Sequence, residues 1–297
     1  MSRPRRPDVD PATLLADLDP DLSGAQLTEV GEGFDYIAYA VRSPVRGGLL
    51  LRVSKAANAS ERAREVRQDA AILALAGRYS SLPTNDVLAV TPDAGALLLT
   101  LVEGVGIAES ARVDIDAAVS VLGGFLTRLH TAPTVEAGAV LPRQRDPAAW
   151  LGHATAGWPA ARDTVNPALR SAVDGFRDDA PPQEPRHLVF CHNDLGEEHL
   201  LVDPETGRLT GVIDWTDAVL GDAARDFAIL ALDLGIPFMD RLLEVYHGPA
   251  DPDLRRRALW YAVVSQVQGV AYRHSIGRRG IHRAISALDA VLREYDR

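Results

Sequence analysis

The amino-acid sequence predicts an α+β fold of two lobes. A small antiparallel-sheet N-terminal lobe is expected over residues 1–103, and a large helical C-terminal lobe over residues 104–297. Three observations predict it. Residues 26–53 hold three short apolar-rich runs with glycine-bearing connections, the mark of successive strands. One helix-length segment precedes the next strand. Beyond Gly106 the spacing changes: Ala118, Val121, Leu122, Phe125, Leu126 and Leu129 fall at i, i+3, i+4, i+7, i+8 and i+11, the stripe of an amphipathic helix.

Taken in order, Met1–Pro7 is basic with no apolar segment after it, and reads as a mobile tail and not as a secretory signal. Asp10-Pro11 places a capping residue before a proline at the first helical position, starting a short helix to about Asp17. Gln26–Gly31, Ile37–Val41 and Leu49–Val53 read as strands. Ser60 can cap a helix to about Ala76, with Gly77 ending it. Leu97–Val102 is a further strand, followed by Gly104 and Gly106. In the second lobe Leu188–Cys191, His199–Val202 and Leu209–Ile213 read as short strands around loops, and Asp222–Leu234 and Leu254–Ile276 as helices.

Charge narrows the partners. Forty-one acidic residues oppose 31 basic ones, a net charge of −10, and Lys55 is the one lysine in an otherwise arginine set. A nucleic-acid binder needs a cationic face, so this balance argues against one. It suits a cationic small molecule or a metal–nucleotide complex. No apolar run approaches the ~20 residues of a membrane span. A single cysteine, Cys191, excludes an intramolecular disulfide and a multi-cysteine metal site. The expectation is a cytoplasmic protein, monomeric by default.

Three constellations carry chemistry. His192-Asn193-Asp194 follows a strand, His199 comes five residues after Asp194, and the turn Asp203–Gly207 folds the chain back so that Asp214 returns beside His199. One carboxylate can accept a hydroxyl proton, and a second can hold Mg²⁺ with a neutral neighbour. These are parts that phosphoryl transfer uses, though turn-capping Asp and His residues would look alike. Gly31-Glu32-Gly33-Phe34-Asp35-Tyr36 joins two strands, and its glycines let backbone approach phosphate. By itself such a hairpin is also a common turn. Finally, Arg52 and Lys55 end an apolar strand. Three residues apart, they fall on opposite faces of a regular strand, so one of them can be a plain surface charge. Glu65 and Asp69 share a helix face. Either could pair with the strand cation, although Glu65, between arginines, favours a solvated position.

In chain order these pieces resemble the aminoglycoside phosphotransferase family, which has a protein-kinase-like fold, from Gly31 to about Phe227. GEGFDYIAYAV (Gly31–Val41) and the HND triplet look like the aminoglycoside 2″-phosphotransferases. GVIDWTDA (Gly211–Ala218) looks more like the macrolide 2′-phosphotransferases. Both branches carry histidine where most members have asparagine, as His199 does here. The resemblance implies roles. Asp194 matches the catalytic aspartate, and His199 and Asp214 the residues that hold Mg²⁺. Arg52 matches the strand cation on the phosphates, where protein kinases have lysine, with Lys55 as a second contact and Asp69 as the helix acid that orients the cation. Gly31, Gly33 and Asp35 belong to the phosphate hairpin. The backbone of Thr100, Leu101 and Val102 would meet the purine edge, and Asp226 would brace the catalytic loop.

The implied activity is that of a Mg²⁺-dependent antibiotic kinase. It would move the γ-phosphate of ATP or GTP to a hydroxyl of a small, cationic acceptor, an aminoglycoside ahead of a macrolide. A metabolite kinase of the same fold and a catalytically silent nucleotide-binding module are the alternatives. No Ala-Pro-Glu motif follows Asp214, which disfavours a protein kinase. Cys191 and His130 read as packing residues. Trp260, Tyr261 and Tyr272 carry no assigned role.

Overall fold

The computed structural model describes residues 9–33, 35–43, 46–277 and 280–297. The expectations for Met1–Pro7 and for Phe34 of the glycine hairpin lie outside these residues. The elements run in order α1 (Pro11–Leu18), β1 (Gln26–Glu32), β2 (Tyr36–Arg42), β3 (Leu49–Ser54), α2 (Ala59–Tyr79), β4 (Val87–Thr91), β5 (Ala96–Thr100) and β6 (Val105–Gly106). Then come α3 (Ile115–His130), α4 (Thr134–Val140), α5 (Pro147–Ala154), α6 (Trp158–Ala161), α7 (Pro167–Asp178), β7 (Val189–Cys191), β8 (Leu200–Val202), β9 (Leu209–Val212) and β10 (Val219–Gly221). The chain closes with α8 (Ala224–Asp233), α9 (Ile236–Val245), α10 (Leu254–Ser275) and α11 (Ile281–Tyr295). The α+β class is the one read from the sequence.

The chain divides into two compact units. One takes the chain up to Ala118 together with Glu198–Asp217; the other takes Val119–Glu197 and Ala218–Arg297.

The first unit is built on an antiparallel sheet of order β1-β2-β3-β5-β4. Alternation along β3 explains its placement: Leu49, Leu51 and Val53 are buried, whereas Leu50 and Arg52 lie on the half-buried face. Leu14 and Leu15 of α1 join that core. Helix α1 starts where expected, with the Asp10 carboxylate accepting the N–H groups of Ala12 and Thr13. For α2 the expected boundaries move. Its cap is Asn58, whose Oδ1 accepts the Glu61 N–H at 2.8 Å, and Ser60 lies inside the first turn. Gly77 also lies inside the helix, which runs to Tyr79 and ends where Ser80 turns extended. Strand β5 stops at Thr100, short of Val102.

A second antiparallel sheet of the same unit has the order β6-β8-β9. The turn at Asp203–Gly207 joins β8 to β9 as predicted, with the Asp203 carboxylate accepting the N–H groups of Glu205 and Thr206. Gly104, at the entry to β6, has φ +132°, and a side chain there would run into Thr210 and into the Val202 carbonyl at 3.0 Å.

In the second unit Leu122, Phe125, Leu126 and Leu129 of α3 are fully buried. Helix α10 packs on α8 and α11, and β7 pairs with β10. Trp260 and Tyr261 are buried, whereas Tyr272 is exposed. No helix among the described residues is long and apolar enough to cross a membrane.

Candidate active site

In the first unit, Arg52 sits in the middle of β3 with 12% of its side chain exposed. Its Nη2 donates to Thr216 Oγ1 at 2.9 Å and lies 3.6 Å from Asp214 Oδ1 and 3.9 Å from Asp69 Oδ2. The guanidinium also stacks 4.2 Å from the centroid of the Tyr36 ring. Thr216 in turn donates its hydroxyl to Asp214 Oδ1 at 2.8 Å. Burial raises the Asp69 carboxyl to about 6 in spite of the Arg52 charge. Burial and the Asp69 charge also raise the Tyr36 phenol. Of the two helix acids left open by the sequence, Asp69 is the one beside Arg52. Glu65 accepts the Ser54 hydroxyl at 2.9 Å.

Lys55 follows the end of β3, and its side chain is completely withdrawn from water. Its Nζ donates to Glu32 Oε1 at 2.8 Å and to the Gly33 carbonyl at 3.1 Å. Its N–H donates to the Asp35 carbonyl at 2.7 Å, and the Gly33 N–H donates to the Tyr36 carbonyl at 2.9 Å. Arg52 and Lys55 therefore face different partners, as their odd spacing predicted, but neither is a plain surface charge. The hairpin carrying Gly31, Gly33 and Asp35 is tied down by the lone lysine. Asp35 is raised by burial and then by the Asp214 charge, with Arg52 and Lys55 opposing. Thr100 gives its N–H to the Asp86 carbonyl, its carbonyl accepts from Asn85, and the Leu101 N–H reaches the Gly48 carbonyl.

The Ile213 N–H donates to the His199 carbonyl at 3.0 Å, which closes the end of the β8–β9 hairpin. This places His199 Nε2 3.8 Å from Asp214 Oδ2, with 13% and 46% of the two side chains exposed. Asp214 has φ +60°, in the left-handed region that non-glycine residues rarely enter and that concentrates at functional sites. The donor set fits a divalent cation. A half-exposed carboxylate oxygen faces a ring nitrogen across a gap wider than a hydrogen bond. The oxygen suits Mg²⁺, and imidazole is its less usual ligand.

Asp194 belongs to the second unit, in the loop after β7. The preceding Asn193 has φ +69°. Asp226 of α8, fully buried, accepts the backbone N–H groups of His192 at 3.1 Å and Asn193 at 2.6 Å. The Asp194 N–H lies 3.3 Å from His192 Nδ1. His130 was expected to pack a helix end. It does more: Nε2 is 3.0 Å from Asp226 Oδ2 and Nδ1 is 2.9 Å from the Tyr246 hydroxyl. A buried imidazole needs partners for both nitrogens, and α8 and the residue after α9 supply them. Cys191 is buried as expected, and burial raises its thiol. Arg225 Nε donates to Asn193 Oδ1 at 2.8 Å.

The structure thus gathers Gly31, Gly33, Asp35, Arg52, Lys55, Asp69, Thr100, Leu101, Val102, His199 and Asp214 in one unit, and Asp194 in the other. Sequence reasoning passed over Glu32, Tyr36 and Thr216. For Glu32 a signal existed, since a glutamate between two glycines is an obvious partner for a chain's one lysine.

Comparison with known proteins gives the family and the fold. The model of the phosphotransferase enzyme family, APH, matches residues 26–260. The hygromycin-B 4-O-kinase of Escherichia coli is 41% identical over 69 residues, which are 22% of this chain and 18% of that protein. The chain spans only 18–27% of the length of the curated relatives it matches. Among solved structures, the GDP and kanamycin complex of APH(2")-IIia aligns with a TM-score of 0.73 at 19% identity, covering 95% of this chain and 98% of that one. Macrolide 2'-phosphotransferase MphH from Brachybacterium faecium aligns with a TM-score of 0.65 at 23% identity, covering 94% and 98%. At such identities these two likenesses carry the fold alone, and it is the fold expected. By the family match over most of its length, the chain belongs to the phosphotransferase enzyme family.

Proposed function

We propose that the protein is a Mg²⁺-dependent O-phosphotransferase that moves the γ-phosphate of ATP or GTP to a hydroxyl of an antibiotic, an aminoglycoside ahead of a macrolide. One observation carries the reading: Arg52, oriented by Asp69 and Tyr36, meets Asp214 and His199 in a single cluster. A strand cation next to a carboxylate–imidazole pair is what a nucleotide's phosphates require.

Phosphoryl transfer asks little covalent work of the protein, so alignment and charge neutralisation dominate. Arg52 supplies a fixed positive charge toward the phosphates. Gly31 and Gly33 offer backbone that phosphate oxygens can approach, and Lys55 holds that backbone in shape. Asp214 and His199 would hold Mg²⁺, which neutralises phosphate charge when bound. With Thr100 and the Leu101 N–H already bonded, the purine edge falls to Val102 and the Leu101 carbonyl. Asp194 accepts the proton of the acceptor hydroxyl and fixes its direction of attack. Residues 1–103 act as the nucleotide lobe and 104–297 as the catalytic and acceptor lobe of a cytoplasmic monomer.

Support for an antibiotic acceptor comes from one relative named for hygromycin B, two named for aminoglycosides, and a structural neighbour holding kanamycin. The net charge of −10 favours a cationic acceptor. The macrolide-like Trp-Thr pair does not separate the two. Trp215 is buried with its Nε1 on the Val212 carbonyl, and Thr216 is engaged by Arg52, so each has a structural task.

A nucleotide-consumption assay against an antibiotic panel, run separately with ATP and GTP, tests the reading. Asp194→Ala should abolish transfer and leave nucleotide affinity within about threefold, because the residue acts on the acceptor. Persistent wild-type turnover in this variant would sink the assignment. No turnover on any antibiotic would move the acceptor to a sugar or amino-alcohol metabolite.

A further inference from the structure

Residue 226 is not alone in gripping the loop before Asp194. Its neighbour in α8 grips the same residue from the side. Asp226 takes the Asn193 backbone N–H, and Arg225 gives its Nε–H to the Asn193 side-chain oxygen at 2.8 Å. Asn193 is held at both ends while it adopts φ +69°. We propose that Arg225 is a positioning residue for the reaction: through Asn193 it fixes the direction in which the Asp194 carboxylate points. This rests on the reading of Asp194 as the catalytic aspartate.

The surroundings of Arg225 are those of a part that must not move. Its guanidinium lies 4.1 Å from the centroid of the Trp150 ring on α5 and 5.3 Å from that of Tyr261 on α10. Cation–π contact with two rings, themselves inclined at 48°, restricts the group more than one ion pair would. Tyr261 is itself held, its hydroxyl accepting from Gln144 Nε2 at 2.8 Å, and Gln144 Oε1 accepts the Asp222 N–H at 2.6 Å. The orientation of Arg225 is therefore set from α5 and α10, and its Nε–H is delivered to the loop from α8. Burial disfavours the charged guanidinium, and the negative charges of Asp226 and Asp194 oppose that effect. A half-buried arginine set against two rings gives its Nε–H to a single amide oxygen, at the residue before the reacting carboxylate, and so is placed to fix that amide.

Arginine with a purely packing role would change stability and leave the chemistry of folded molecules intact. The test therefore reads kcat, nucleotide KM, thermal midpoint and amide exchange of residues 192–195 together, for Arg225→Ala, Asn193→Gly, the double variant and Asn193→Asp. Glycine accepts φ +69° freely, so Asn193→Gly removes the tether without adding strain. Asn193→Asp keeps an acceptor oxygen. Arg225→Ala and Asn193→Gly should each lower kcat by 10- to 100-fold at an unchanged nucleotide KM. The double variant should be no slower than the slower single one. Asn193→Asp should stay within about threefold of wild type, and exchange at residues 192–195 should quicken about tenfold in Arg225→Ala. Wild-type kcat and exchange in folded Arg225→Ala would overturn the proposal, as would losses that multiply in the double variant. If Arg225→Ala does not fold, Asn193→Gly with wild-type kcat overturns it equally. Failure of the wild type to turn over any acceptor counts against the function reading instead, and the exchange measurement then still decides the role of Arg225.

Discussion

Asp226 and His130 meet at 3.0 Å with neither side chain reaching water. The same carboxylate holds the N–H groups of His192 and Asn193. Asp226→Ala would leave these two donors and the His130 ring facing an apolar gap. Removing one member of such a buried charged network costs about 3–5 kcal/mol. The denaturant midpoint at constant m-value should record that loss. A loss below about 1 kcal/mol would mean the loop is held by other groups.

Asp69 gives the stability curve a definite sign. Burial raises its carboxyl to about 6 from an ordinary 3.8. Between these values the folded chain holds a proton that the unfolded chain has lost, so this group's contribution falls as pH rises from about 4 to about 6 and is level above. The drop is on the order of 3 kcal/mol. Asp69→Asn removes it. Urea unfolding of both proteins at pH 4, 5, 6 and 7 should show the difference between them shifting toward the variant across that window. A pH-independent difference would show that Asp69 titrates normally.

Glu32 and Lys55 can be separated from the phosphates by a mutant cycle. If Lys55 works by tying down the hairpin, Lys55→Met and Glu32→Gln weaken nucleotide binding alike, and the double variant is no worse. The expected coupling is about 1–3 kcal/mol by calorimetric titration. If Lys55 instead touched phosphate, freeing it by Glu32→Gln would tighten binding.

Asp214 should report on the cation. A chelator should stop turnover in the wild type and added Mg²⁺ should restore it. Asp214→Ala should stay impaired in both conditions, with kcat/KM lowered by about 10²- to 10³-fold for a lost transition-state charge partner. Activity that survives chelation would remove Mg²⁺ from the scheme.

What could be read in advance, and what could not, divides by distance along the chain. The strands over 26–53 and the buried stripe of α3 follow from local periodicity. The start of α1 follows from Asp10-Pro11, and the β8–β9 hairpin from Asp203–Gly207. Between residues 134 and 178, α4, α5 and α6 escaped because none exceeds eight residues, whereas α7 carries a stripe of Leu169, Val173 and Phe176 that went unread. Two of these helices repeat a signal used for α1, since Asp146-Pro147 and Asn166-Pro167 open α5 and α7 with the same side-chain caps. At α2 two capping residue types two positions apart competed, and Asn58 took the role given to Ser60. For the site, the order of Asp194, His199 and Asp214 was legible because one hairpin connects the last two. The grip of His130 on Asp226, 96 residues away, was not, because nothing local encodes it. Ser54 and Arg52, two residues apart, share one face of β3 and meet successive turns of α2, so Ser54 takes Glu65 and Arg52 is left beside Asp69, a match between distant elements that nothing local encodes.

The burial of Lys55 also sets how the molecule meets reagents. The sequence has no second lysine, and this one is sealed beneath the hairpin with its ammonium bonded. Its surface therefore offers no side-chain primary amine. Succinimidyl esters and aldehyde cross-linkers would find no lysine target on the folded protein, and neither would an enzyme that attaches groups to lysine. Side-chain labelling calls for carboxyl chemistry instead, for which the chain has 41 acidic residues. A lysine adduct that does form would report that the hairpin has come apart.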